Sequence, residues 1–221
     1  MQAALASAKE PMTNANLRLR IFLTGVGGQG TLLASRLLGE AALAAGMDPL
    51  VSETHGMAQR GGVVVSTVVL GDLKSPIISP GEADVLLGFE ALETFRALDR
   101  CHSKSLVITN TGALLPYPVS IGKSAYPEVV RLLDLMAPKV GSLLAFDAGE
   151  MAHRAGSPLA VNMVLLGALV ATHILPFSEE DILTLIKTKT NPKFLEANQA
   201  AFRMGQAAAA DSQNWRKPLV S

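Results

Sequence analysis

One cysteine in 221 residues removes several chemistries at once. Cys101 has no partner for an intrachain disulfide, and alone it holds neither an iron–sulfur cluster nor a Cys-rich zinc site. No metal-ligand spacing links the four histidines, so no metal site is expected on this chain. His102 sits beside Cys101, but adjacent side chains do not converge on one atom, which argues against a Cys/His nucleophile. Charge is also scarce: 17% of residues are charged and acids balance bases, 19 to 19. That balance speaks against a nucleic-acid surface, and the shortfall from the usual ~25% suggests a face covered by a partner. No apolar run reaches membrane-spanning length; the longest, Val161 to Ile174, is interrupted by Asn162 and His173. The opening residues lack a basic head followed by an apolar core, so a cytoplasmic location is expected rather than export.

What is present is apolar. Hydrophobic residues make up 49% of the chain, enough for a full core in one domain. Residues 1–17 read as a flexible tail, 18–206 as the folded domain, and 207–221 as an extension in which periodicity is lost and Trp215 is offered to a partner. β-runs are expected at Leu19–Thr24, Pro49–Glu53, the valine-rich Gly62–Leu70, Ala83–Phe89, Ser105–Asn110 and Ser142–Phe146. Helical spacing marks Gly30–Ala45 (with an Arg36–Glu40 pair), Ala91–Arg100, Tyr126–Met136, Leu159–Ile174, Ser178–Lys187 and Pro192–Gly205, and beyond Asp147 the chain reads as helical to its end. Ser178 ahead of Glu179 and Glu180 is a helix start, and Asn191 caps Pro192.

Strands alternating with helices indicate a three-layer α/β/α domain with a mostly parallel, mixed sheet. The second and third runs lie too close for a crossover helix, which requires at least one antiparallel strand. The fold is thus Rossmann-like without being a standard dinucleotide fold.

Two glycine-bearing segments carry the functional signal. Gly25-Val26-Gly27-Gly28-Gln29-Gly30 follows a strand and opens a helix at Thr31, so backbone N–H groups crowd toward one point where an anion is favoured. The absence of a lysine after Gly30 argues against a phosphate loop of the Gly-Lys-Ser/Thr kind. A dinucleotide reading stays open: Gly25, Gly27 and Gly30 fit G-x-G-x-x-G, and Glu53 lies where an acid would hold a ribose. Close packing of the helix onto the sheet or a partner is the competing explanation of the glycines. In the second segment, Ser52–Gly62, His55, Gln59 and Arg60 stand between apolar runs; Arg60 suits a carboxylate or phosphate, or pairs with Glu53. Asp147 reads as a helix cap that also flanks a ligand position, Asp84 as a turn cap, and Asn162 as a residue that caps or stabilises the apolar helix.

Together Gly25–Gly30, Ser52–Gly62, the Ala83-Asp84 strand entry, Asn162 and Leu166-Gly167 resemble the gamma subunit or domain of the thiamine-diphosphate-dependent 2-oxoacid:ferredoxin oxidoreductases, from about Arg18 to Gly205. As a short separate chain it is most similar to the small subunit of an indolepyruvate-type enzyme. The resemblance implies oxidative decarboxylation of a 2-oxoacid, with the acyl group passed to coenzyme A and electrons to ferredoxin. It also implies that thiamine diphosphate, Mg2+ and [4Fe-4S] clusters sit on a larger partner subunit, so that the chain is inactive alone. The glycine loop and His55, Gln59 and Arg60 then line the cleft and touch the oxoacid carboxylate, coenzyme A or the partner; Glu53, Asp147 and Asn162 are secondary, and Asn162 helps shape the interface. Homodimerisation is compatible with this arrangement. The alternatives from other classes are an independent NAD- or nucleotide-binding oxidoreductase and a non-catalytic assembly protein of the same fold.

Overall fold

A computed structural model describes residues 17–55, 62–112 and 126–219. The strands are β1 (Arg18–Val26), β2 (Leu50–His55), β3 (Val63–Gly71), β4 (Ala83–Gly88), β5 (Cys101–Asn110), β6 (Ser142–Phe146) and β7 (Trp215–Lys217). They form one sheet in the order β2-β3-β1-β4-β5-β6-β7. β1, β4, β5 and β6 run parallel, whereas β3 is antiparallel to both β2 and β1, and β7 is antiparallel to β6. The antiparallel strand required by the short spacing after β2 is therefore β3, slotted between β2 and β1.

Alternate residues along each strand serve opposite faces, as pleating dictates. Ile21, Leu23, Val85, Leu87, Leu106 and Ile108 face one core, completed by α1 (Thr31–Ala44), α4 (Ala148–Arg154), α5 (Val161–Ala171), α6 (Glu179–Lys189) and α7 (Leu195–Ala210). Phe22, Leu86, Val107 and Leu143 face the other, covered by α2 (Ala91–Arg96), the 3-10 turn Ala97–Arg100 and α3 (Val129–Met136). The result is the three-layer α/β/α arrangement with a mixed, mostly parallel sheet.

α5 is the buried centre of the larger helical layer. Asn162 through Val170 are all buried, so the helix is apolar all round and has no solvent face. It crosses α7 with backbone in direct contact: a Cβ on Gly167 would lie 1.9 Å from the Phe202 carbonyl oxygen, and one on Gly205 would lie 1.8 Å from that of Val164. Leu166-Gly167, part of the sequence resemblance, is thus a crossing point rather than a ligand contact.

Several expectations are corrected. Helical structure does not continue to the end, because residues 215–217 return as the edge strand β7. Trp215 is engaged by its own chain: its indole Nε1 donates to the Ala209 carbonyl at 2.8 Å and its ring packs against the core. Glu40 pairs with Lys189 at 2.9 Å rather than with Arg36, since α6 lies beside α1. α3 begins at Val129 rather than Tyr126, as Pro127 disfavours helical backbone at the residue before it. Asp84 does not cap a turn; its Oδ2 accepts from the Arg20 amide at 2.7 Å, tying β4 to β1. The Ser178 start is realised as a capping box with Asp181, and Asn191 accepts from the Lys193 amide at 2.9 Å.

Candidate functional site

Four parallel strands end on the same side of the sheet, the usual ligand side of an open α/β fold. The glycine loop leaves the end of β1 there. Gly28 and Gly30 adopt φ of 103° and 81°, left-handed backbone that side chains disfavour. Gly30 has a second reason to be glycine: a Cβ would lie 2.6 Å from Asn162 Nδ2. That amide donates to the Gly30 carbonyl at 3.4 Å, so Asn162 at the start of α5 buttresses the start of α1. Gly27 donates to the Gly62 carbonyl at 2.9 Å, joining the loop to the entry of β3.

Gln29 turns inward. Its Oε1 accepts from the Val26 amide at 2.7 Å and its Nε2 donates to the Phe89 carbonyl at 2.9 Å. With only 8% of its surface exposed, its polar atoms serve to shape the loop. Gly25 leaves room for this, since a Cβ there would lie 2.7 Å from Gln29 Oε1. Thr31 is buried, and among the described residues its Oγ1 has no hydrogen-bond partner.

A polar frame that the sequence reading missed extends the site across the strand ends. Asn110, 3% exposed at the end of β5, accepts through Oδ1 from the Gly112 and Ala148 amides, both at 2.9 Å. Its Nδ2 donates to the same Phe89 carbonyl at 3.1 Å. One side chain thereby positions the end of β4, the turn after β5 and the start of α4. Glu90 is fully buried: its Oε2 caps α2 by accepting from the Glu93 amide at 2.8 Å, while the Tyr126 hydroxyl donates to Oε1. Burial, with the Glu90 carboxylate beside it, pushes the Tyr126 phenol upward. Thr94 donates to the Glu90 carbonyl at 2.7 Å and meets the Thr109 hydroxyl at 2.9 Å. Burial likewise raises the Glu93 carboxyl, against the pull of Arg96 at 2.6 Å. The signal available in sequence was slight: a lone Asn or Glu directly after an apolar strand, at Asn110 and in Gly88-Phe89-Glu90.

Asp147 caps α4, its Oδ1 accepting from the Glu150 amide at 2.8 Å. It also lines a cavity of about 550 Å³ together with Gly28, Gln29, Asn110, Gly112, Glu150, His153 and an apolar wall of Pro158, Leu159 and Val161. The structure thus brings the glycine loop, Asn162 and Asp147 together. It leaves Glu53 apart, exposed on edge strand β2. Glu53 and Leu23 both lie level with Ser66 of β3, two residues short of Gly25, with β3 between the two strands. At ~4.8 Å per strand that interposition carries the acid away from a ribose-holding position beside β1. Gln59 and Arg60 lie outside the described residues, as does the side chain of His55. Among the described residues no three His, Cys, Asp or Glu side chains cluster as a metal site, and no helix is long and apolar enough to cross a membrane.

Comparison with known proteins agrees with this architecture. The chain is 38% identical over 196 residues to indolepyruvate oxidoreductase subunit IorB of Methanothermobacter thermautotrophicus, covering 89% of this chain and 100% of that one. Against the subunit of the same name from Thermococcus kodakarensis it is 40% identical over 193 residues, covering 86% and 96%. The 2-oxoglutarate synthase subunit KorC of Methanothermobacter thermautotrophicus is more distant, at 28% over 194 residues, 86% of this chain and 94% of that one. Among solved structures, the gamma subunit of the keto/oxoacid ferredoxin oxidoreductase of Geobacter sulfurreducens shares the fold with a TM-score of 0.64 at 24% identity, covering 87% of this chain and 98% of that one. Residues 20–208 match the family model described as pyruvate ferredoxin/flavodoxin oxidoreductase, and with relatives matched along nearly their whole length the chain belongs to that family.

Proposed function

We propose that this chain is the small subunit of a thiamine-diphosphate-dependent 2-oxoacid:ferredoxin oxidoreductase acting on an aryl-pyruvate such as indolepyruvate. The observation that carries the reading is the near full-length likeness to indolepyruvate oxidoreductase subunits at 38–40% identity, against 28% for a 2-oxoglutarate synthase subunit. The enzyme would pass the acyl group to coenzyme A and electrons to ferredoxin.

The residues of this chain fit neither a cluster nor a metal–diphosphate group. It has one cysteine, and its sequence lacks a Gly-Asp-Gly…Asn-type metal–diphosphate motif, Gly71-Asp72-Leu73 being only superficially similar. Thiamine diphosphate, Mg2+ and [4Fe-4S] clusters are therefore assigned to a larger companion subunit. In this reading the chain's own work is to line the cleft and support assembly. The glycine loop is held rigid by Gln29 and Asn162. Arg60, oriented by Gln59 and His55, contacts the oxoacid carboxylate or a coenzyme A phosphate.

The test is co-expression with the larger subunit and assay of 2-oxoacid-dependent reduction of ferredoxin. A complex that prefers indolepyruvate over pyruvate and 2-oxoglutarate supports the reading; preference for 2-oxoglutarate, or turnover by this chain alone, overturns it. Arg60→Ala in that complex is expected to raise KM for oxoacid or coenzyme A, and unchanged values with normal assembly remove the role given to Arg60.

A further inference from the structure

The two edges of the sheet are built differently. β7 carries the devices that keep an edge from pairing: it is three residues long, slips register against β6, bears Arg216 and Lys217, and runs straight into Pro218. β2 carries none of them. Its six residues pair with β3 in unbroken register, from Leu50 opposite Val69 to His55 opposite Val64. Residues 50–54 include no lysine, proline or glycine. Among the described residues no strand lies on the outer side of β2, which therefore presents a row of backbone N–H and C=O groups.

α1 adds an apolar margin to this edge. A Cβ on Gly39 would lie 2.8 Å from Cγ2 of Val51, so Gly39 is where α1 rests on β2. Leu32, Arg36 and Leu43 share that stripe of the helix, at steps of three and four residues. All three are exposed, Leu43 by 58%, and Val51 beneath them is exposed by 39%. Glu53, two residues beyond Val51, projects to the same side of the sheet and is exposed too. α1 runs against β2, so a step of ~4.5 Å from Gly39 toward the helix start carries Arg36 over the stretch that holds Glu53. The two form no ion pair with one another within the chain. Each chain thus offers one cation and one anion at this edge.

These features fit one occupant. An open row of N–H and C=O groups calls for an extended backbone, and a second copy brings one of equal length. A two-fold axis perpendicular to the sheet pairs β2 with β2 antiparallel and keeps both α1 helices on one side. Centred between Ser52 and Glu53, the pairing sets Val51 opposite the second copy's Thr54 and Glu53 opposite its Ser52, so no like charges face each other across the strands. The α1 stripes then lie antiparallel, with the Leu32 end of one beside the Leu43 end of the other. Arg36 and Glu53 from both copies gather about the axis as a neutral group. We propose that the β2 edge, with the Leu32–Leu43 stripe of α1 beside it, is a homodimer interface at which a second copy of this chain adds its own β2 and joins the two sheets into one.

The test is sedimentation equilibrium of the full chain without any companion, so its failure leaves the subunit reading untouched. At about 10 µM the wild type is expected to show the mass of two 23.2 kDa chains. Leu43→Glu and Arg36→Glu, both at exposed positions, are each expected to weaken the dimer about tenfold or more, with the melting temperature within about 2 °C of wild type. Adding Glu53→Arg to Arg36→Glu is expected to restore it to within about threefold of wild type. Amides of β2 should exchange hydrogen more slowly as concentration rises into the dimer range. A monomer at every concentration up to about 100 µM overturns the proposal, as does a dimer indifferent to all of these variants. β2 amides already protected in a monomer overturn it in favour of cover by the chain's own residues. Protection that appears only when the larger subunit is added gives the edge to that subunit and overturns it equally.

Discussion

Gln29 donates to the carbonyl of Phe89 at 2.9 Å, so the loop after β1 is fastened to the end of β4 by one side-chain amide. Asn110 donates to the same carbonyl from β5. The ligand side of the sheet is therefore bound together by side chains whose backbone partners lie on neighbouring strands.

Gln29→Met keeps the length and removes both polar groups. It orphans the Val26 amide, while the Phe89 carbonyl retains Asn110. The expected loss is about 1–3 kcal/mol, or roughly 3–10 °C in melting temperature for a chain of this size. A melting temperature within about 1 °C of wild type, read by calorimetry, would show that the loop holds its shape without the amide.

Gly30 and Asn162 form a second testable pair. Gly30→Ala meets two obstacles, a left-handed φ of 81° and Asn162 Nδ2 at 2.6 Å from the new carbon. The first costs about 1 kcal/mol and stays whatever stands opposite. The second is largely relieved in Asn162→Ala, which removes Nδ2 and Cγ and leaves only Cβ, at 3.2 Å. Urea denaturation of the two single variants and the double variant is expected to depart from additivity by about 1 kcal/mol or more. Additivity within about 0.5 kcal/mol would mean that the Asn162 side chain moves aside freely.

Burial pushes the Cys101 thiol up from 9.0 to about 12, opposed in part by the Ser105 hydroxyl. Native protein at pH 8 is expected to react with an aromatic disulfide at least about tenfold more slowly than unfolded protein. The folded value lies above the unfolded one, so the fold favours the protonated thiol. Its contribution is whole below pH 9 and is lost as pH rises toward about 12. Wild type should therefore lose stability more steeply than Cys101→Ala across that window. Parallel curves would show that the thiol ionises in the native state as it does in the unfolded chain.

Sequence pattern carried much of the fold where residues were plentiful and uniform. β3 is a valine-rich run and β6 an unbroken apolar stretch, and both stand where the pattern put them. The antiparallel β3 followed from chain length alone, since no crossover fits between it and β2. β7 was missed because three residues, Trp-Arg-Lys, carry no alternation; only the open edge of β6 makes them a strand. In the candidate site the glycine loop and the Asp147 cap were legible from their neighbours in sequence, whereas Asn162 does not cap its helix and instead donates to the Gly30 carbonyl. Asn110 and Glu90 were not legible, because their meaning comes from backbone groups of other strands, brought close only by folding. The Lys189–Glu40 pair failed to show for the same reason: helical spacing offers Arg36, and tertiary packing supplies a nearer cation.

Where α5 crosses α7, each glycine receives a carbonyl oxygen at a distance no methyl group could share. Ordinary helix pairs can drift in spacing as their contact residues exchange for larger or smaller ones. This pair has no such freedom, because hydrogen is already the smallest substituent on both sides. The distance between the two helices is thus fixed like a gauge block, and changes elsewhere in the core must be absorbed without altering it.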